Sequence, residues 1–74
     1  MSEQDPRYSM VIEWSNEDHT YIVSFLEWGV NTHTHGDTYE EAVRSGQEVL
    51  ADLIALWRDL TRPLPEPRVF ATTA

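Results

Sequence analysis

The sequence predicts an α+β domain: a three-stranded antiparallel meander, one long helix, and a segment that could supply a short fourth strand (β-β-β-α-β). Three observations carry this. Apolar residues alternate with a period of two over residues 8–14 and again over residues 20–28. From Tyr39 onward the period changes to three and four. Short polar links separate the strands, as antiparallel neighbours require.

The first strand is "RYSMVIEW", with Tyr8, Met10, Ile12 and Trp14 on one face and Ser9, Val11 and Glu13 on the other. "SNEDH" is turn chemistry, because Asn and Asp side chains bond their own backbone and tolerate left-handed conformations. "TYIVSFLEW" forms the second strand, with Tyr21, Val23 and Phe25 on one face and Ile22, Ser24 and Leu26 on the other. Gly29 offers a bend, and "VNTHTH" is a third, weaker strand that sets Val30, Thr32 and Thr34 on one face and Asn31, His33 and His35 on the other.

The stretch "HGDTYEEAV" starts the helix. Thr38 followed by Glu41 is a capping box, with Asp37 and Glu40 as the competing register. Gly36 would provide the free backbone geometry of a tight strand-to-helix turn. Tyr39, Ala42, Val43, Gly46, Val49, Leu50, Leu53, Ile54, Trp57 and Leu60 then form an apolar stripe about 30 Å long. Gly46 within that stripe implies a close approach of helix to sheet. Pro63 cannot continue a helix, so the end is expected near Thr61. "RPLPEP" is a stiff connector, and "RVF" could add the fourth, edge strand. Residues 1–74 are therefore expected to make a single domain, with a flexible N-terminus over 1–6, a proline-rich segment over 61–74 and no separate DNA-binding domain.

Composition narrows the function classes. A chain of 74 residues buries only about 60 % of its unfolded surface, so its core is thin and self-association into a dimer or tetramer would help. The lack of cysteine removes disulfides and fits a cytoplasmic setting. No apolar run is long enough to span a membrane, and no secretion leader is recognisable. Thirteen acidic side chains stand against five basic ones, so direct binding to nucleic acid is not expected. An acidic surface attracts a basic partner, although it also serves plain solubility.

Several residue groups are candidate sites. Glu13, Glu27 and Asp37 could converge on magnesium in a metal-dependent nuclease, but Glu13 and Glu27 are also the ordinary exposed acids of alternating strands. His33 and His35 share a strand face and, with His19 or a nearby acid, could hold zinc; two histidines on a polar strand are more often solvated. No catalytic nucleophile motif or phosphate loop is present, so no catalytic residue and no cofactor is assigned. Trp57 belongs to the core stripe. Trp14 and Trp28 sit at strand ends, where they either anchor a partner or close the rim of the core. With Glu13 and Glu27 they are the candidate partner-binding residues.

Taken together, "DHTYIVSF", "HGDTYEEAV", the long apolar helix and "PLPEP" resemble the HicB antitoxin family of bacterial type II toxin–antitoxin systems. Tyr21, Gly36, Asp37, Thr38, Glu40, Glu41, Ala42, Pro65 and Pro67 match that family's pattern, and the resemblance runs from about Tyr8 to Pro67. The chain departs from it at "LEWGVNTH", which keeps only a glycine of the family's Pro-Asp-x-Pro-Gly loop. The resemblance implies a truncated RNase H-like fold without nuclease activity. It also implies a cytoplasmic homo-oligomer that binds and neutralises HicA, a small basic ribonuclease acting on messenger RNA. A solitary HicB-like protein with another regulatory partner is the alternative, and a metal-dependent RNase H-like nuclease the more distant one.

Overall fold

A computed structural model describes residues 7–29 and 31–70 of the chain. The expected flexible N-terminus over 1–6, Val30 and the end of the tail over 71–74 lie outside the described residues. The elements are β1 (Val11–Ser15), β2 (Thr20–Ser24), β3 (His33–Gly36) and α1 (Tyr39–Asp59). The strands form one antiparallel sheet in the order β1-β2-β3, the meander expected from the short links.

Pairing register puts two rows of residues under the helix. Ile12, Val23 and Thr34 stand side by side, as do Trp14, Tyr21 and Gly36. The opposite face carries the rows Val11–Ser24–His33 and Glu13–Ile22–His35. Val23, Phe25, Ala42 and Leu50 are the buried apolar centre, ringed by half-buried Met10, Ile12, Tyr21, Val49 and Leu53. This is a thin core, as a chain of this length dictates. The helix lies chiefly against β3 and least against β1. At about 1.5 Å per residue its 21 residues span about 31 Å, longer than the five-residue strands beneath it. Leu56 and Leu60 on its last turns are consequently about half exposed, at 48 % and 51 %.

Both glycines at the helix–sheet contact are there for space. A Cβ on Gly46 would come within 2.6 Å of Met10 Sδ and 3.2 Å of Val23 Cγ1, so the expected close approach is present. Gly36 needs a correction. Its backbone does not lie in the left-handed region; instead a Cβ there would sit 2.3 Å from the backbone nitrogen of Ala42. The first turn of α1 rests directly on the end of β3, and only glycine leaves room for it.

Four further expectations are revised. The second strand stops at Ser24, and Leu26–Trp28 form a 3-10 turn closed by Trp28 N–H donating to the Phe25 carbonyl at 3.0 Å. A 3-10 turn stacks residues three apart, which brings Phe25 and Trp28 to the same side. The third strand starts at His33; Asn31 is in a turn, and Thr32 after it donates its hydroxyl to the Trp28 carbonyl at 3.3 Å. In the β1–β2 loop the left-handed residue is His19 (φ 53°), not Asn16 or Asp18. Asp18 N–H instead donates to Ser15 Oγ at 3.2 Å. Finally, residues 68–70 form no fourth strand and lie outside the sheet.

Candidate functional site

Each end of the helix–sheet sandwich carries an aromatic cluster, and the two clusters differ in what covers them. At the end holding the β1–β2 loop and the start of α1, Trp14 meets Tyr21 edge-on with centroids 5.1 Å apart. Tyr21 in turn meets Tyr39 at 5.7 Å. Register explains the assembly: Trp14 and Tyr21 are paired residues, and Tyr21 also pairs Gly36, three residues before Tyr39. Trp14 and Tyr39 remain 48 % and 57 % exposed. Trp14 Nε1–H donates to Asn16 Oδ1 at 3.0 Å, which fixes the indole against its own loop.

The helix start beside this cluster is held as the capping box predicts. Glu41 N–H donates to Thr38 Oγ1 at 3.0 Å. The reciprocal bond is displaced by one residue, since the Glu41 carboxylate accepts from Asp37 N–H at 3.2 Å rather than from Thr38. Glu40 and Glu41 therefore sit at the positive end of the helix dipole. With Glu17 and Asp18 in the loop and Asp37 in the turn, this end bears five carboxylates. No arginine or lysine occurs anywhere between Arg7 and Arg44 in the sequence.

At the opposite end, Trp28 meets Tyr8 at 4.6 Å and Trp57 at 6.1 Å, both edge-on. Here the proline-rich arm folds back as a strap. The helix ends at a left-handed Thr61 (φ 51°), whose N–H donates to the Arg58 carbonyl while Arg62 N–H donates to that of Trp57. This double closure reverses the chain and sets Arg62 over the Trp57 ring, 4.9 Å from its centroid. Tyr8 then donates its hydroxyl to the Pro65 carbonyl at 2.7 Å. Burial first, then the Glu27 and Glu66 carboxylates, push the Tyr8 phenol above its usual value, so it remains a donor.

Glu27 fastens the strap. Its Oε2 accepts from Arg68 N–H at 2.7 Å, and its two oxygens share Ser9 N–H at 3.1 and 3.3 Å. The Ser9 hydroxyl lies 3.2 Å from both Glu27 Oε2 and the Arg68 carbonyl, and its single proton serves one at a time. Partial burial raises the Glu27 pKa, but the N–H donors from Arg68 and Ser9 outweigh it and hold the carboxyl below its ordinary value. Glu27 is thus engaged within the chain, a role that strand alternation does not reveal because its partners are 18 and 41 residues away.

The other candidates are dispersed. Glu13 is exposed on the outer sheet face, Glu27 is in the strap, and Asp37 is in the turn before α1. His35, His19 and Asp37 border one shallow cleft of about 380 Å³, whereas His33 lies in the next row, beside Ser24. Among the described residues no three His, Cys, Asp or Glu side chains are grouped to share a metal ion. No helix among them is long and apolar enough to cross a membrane. Trp14 and Trp28, equivalent by sequence position, have separate fates: one is displayed and the other closes the rim. The Trp28 indole N–H finds no acceptor among the described residues.

No family model matches the chain, and no curated protein or solved structure is detectably similar to it.

Proposed function

We propose that this chain is a HicB-like antitoxin, a non-catalytic binding protein that neutralises a small basic HicA-type ribonuclease by occluding it. The observation that carries the reading is the open end, where Trp14 and Tyr39 are exposed and the adjoining loop, turn and helix start carry Glu17, Asp18, Asp37, Glu40 and Glu41. Negative charge speeds encounter with a cationic partner, and half-exposed aromatic rings supply contact area once it arrives. In this reading the β-β-β-α unit is a truncated RNase H-like scaffold whose carboxylates have been put to structural use. The motif residues agree with that role: Gly36 admits Ala42, and Thr38 and Glu41 cap the helix. The protein would act in the cytoplasm, without cofactor, as a homodimer or tetramer.

A second reading, a solitary HicB-like oligomer serving another regulatory partner, draws on the exposed Leu56 and Leu60, which a second copy could cover. Co-expression separates the two. A HicA-type ribonuclease, best taken from beside the gene, arrests bacterial growth when expressed alone; co-expression of this chain is expected to restore growth. Continued arrest in the presence of excess folded chain would remove the antitoxin reading and leave the solitary one.

A further inference from the structure

We propose that the Trp14–Tyr21–Tyr39 end docks a cationic side chain, an arginine or lysine of a basic polypeptide, in the way Arg62 already covers Trp57 at the other end. The geometry supplies both halves of such a site. Trp14 and Tyr39 are the displayed members of an edge-to-face series through Tyr21, at centroid spacings of 5.1 and 5.7 Å. An edge-on arrangement leaves ring faces available, and those faces carry the negative side of the quadrupole that attracts a cation. Indole orientation is set in advance by the Trp14–Asn16 bond, so little side-chain freedom is lost on docking.

Charge complementarity fixes the occupant. Glu17 and Asp18 lie in the loop that follows Trp14, and Asp37, Glu40 and Glu41 flank Tyr39. Four of the five arginines are placed elsewhere: Arg58 and Arg62 at the end of α1, Arg68 in the strap and Arg7 next to Tyr8; the fifth, Arg44, is in the second turn of α1 and lines a cleft with Asp37, Glu41 and Glu48. An anionic partner would find five carboxylates at this end against the single guanidinium of Arg44. The Trp57 cluster, by contrast, already has its guanidinium at 4.9 Å.

The inference relies on the antitoxin reading only for the sign of the partner's charge, and it holds for any basic polypeptide. The test is a titration of the full chain with an arginine-containing decapeptide at low salt, followed by NMR. A lysine version and a glutamate version of the peptide serve as comparisons. Expected are shifts centred on the Trp14 indole and the Tyr39 amide for the two basic peptides only, weakened by salt. Trp14→Ala should lower affinity about fivefold or more while leaving the remaining spectrum folded, and Trp14→Phe should recover part of it. Shifts spread evenly over the acidic residues and unchanged by Trp14→Ala would overturn the proposal. Absence of binding, or the same shifts on raising the protein concentration alone, would overturn it too, the latter by making a second copy the occupant. Peptide docking here without ribonuclease neutralisation would retire the antitoxin reading and keep this site. Neutralisation undisturbed by Trp14→Ala would do the reverse.

Discussion

The two ends of this small sandwich are built from the same kind of material and put to opposite uses. Each has three aromatic rings in edge-to-face contact, including Trp14 near the end of β1 at one and Trp28 in the 3-10 turn after β2 at the other. One end is tied shut by the returning arm, through Arg62 on Trp57, Tyr8 on Pro65, and Glu27 on Ser9 and Arg68. The other is left open, with acidic residues in its loop, turn and helix start. In a chain whose buried centre is Val23, Phe25, Ala42 and Leu50, the strap extends the core where the helix overruns the sheet. The remaining end keeps exposed rings. In the proposed reading, stability and recognition are thus separated in space.

The sharpest way to break this comparison is to remove one tryptophan from each end. Trp28→Ala should destabilise the fold by about 3 kcal/mol, because its ring is packed between Tyr8 and Trp57 and a cavity would remain. Trp14→Ala should cost about 1 kcal/mol or less, mainly the pair with Tyr21. Urea denaturation of the two variants measures both, and equal losses would mean that the ends are not mechanically different.

Glu27→Gln comes next. It keeps the size of the side chain but replaces a charged acceptor of several N–H and O–H groups, and should cost about 1–2 kcal/mol. The pH dependence has a defined sign. Because the folded Glu27 carboxyl is held below its ordinary value of 4.5, the unfolded chain binds the proton first as pH falls. The strap's contribution is therefore complete above that value and is lost as pH drops through the lower, folded one. Wild type should show this acid-side loss in a stability–pH profile, and Glu27→Gln should lack that component. Identical profiles would mean that the carboxylate does not fasten the arm.

The helix design was largely readable from local pattern. Thr38 and Glu41 cap it, Gly46 marks the close approach, and the stripe through Ala42 and Leu50 faces the sheet. Each of these depends on residues a few positions apart, or on the period of a single element. What was not readable depends on distant partners. Glu27 sits where alternation merely expects an exposed acid, and only its neighbours Ser9 and Arg68 reveal its role. Trp14 and Trp28 have similar local settings, and only the route of the arm distinguishes them. Gly36 was readable as required but not for the right reason, since its constraint is the backbone of Ala42 in the next element.

The smallest expected effect is a gain. Thr61 is β-branched and left-handed, which costs about 1 kcal/mol relative to glycine at the same position of a helix end. Thr61→Gly should raise stability by about that amount without altering the strap, as read by denaturation midpoint and by the unchanged Trp57 environment. A loss of stability instead would show that the turn does not rest on that backbone conformation.

The most direct test of the account is an inhibition titration of a purified HicA-type ribonuclease acting on RNA. Wild-type chain is expected to abolish cleavage near stoichiometry, with inhibition relieved by added salt because acidic and basic surfaces meet. Undiminished cleavage in the presence of excess folded chain at low salt would contradict it.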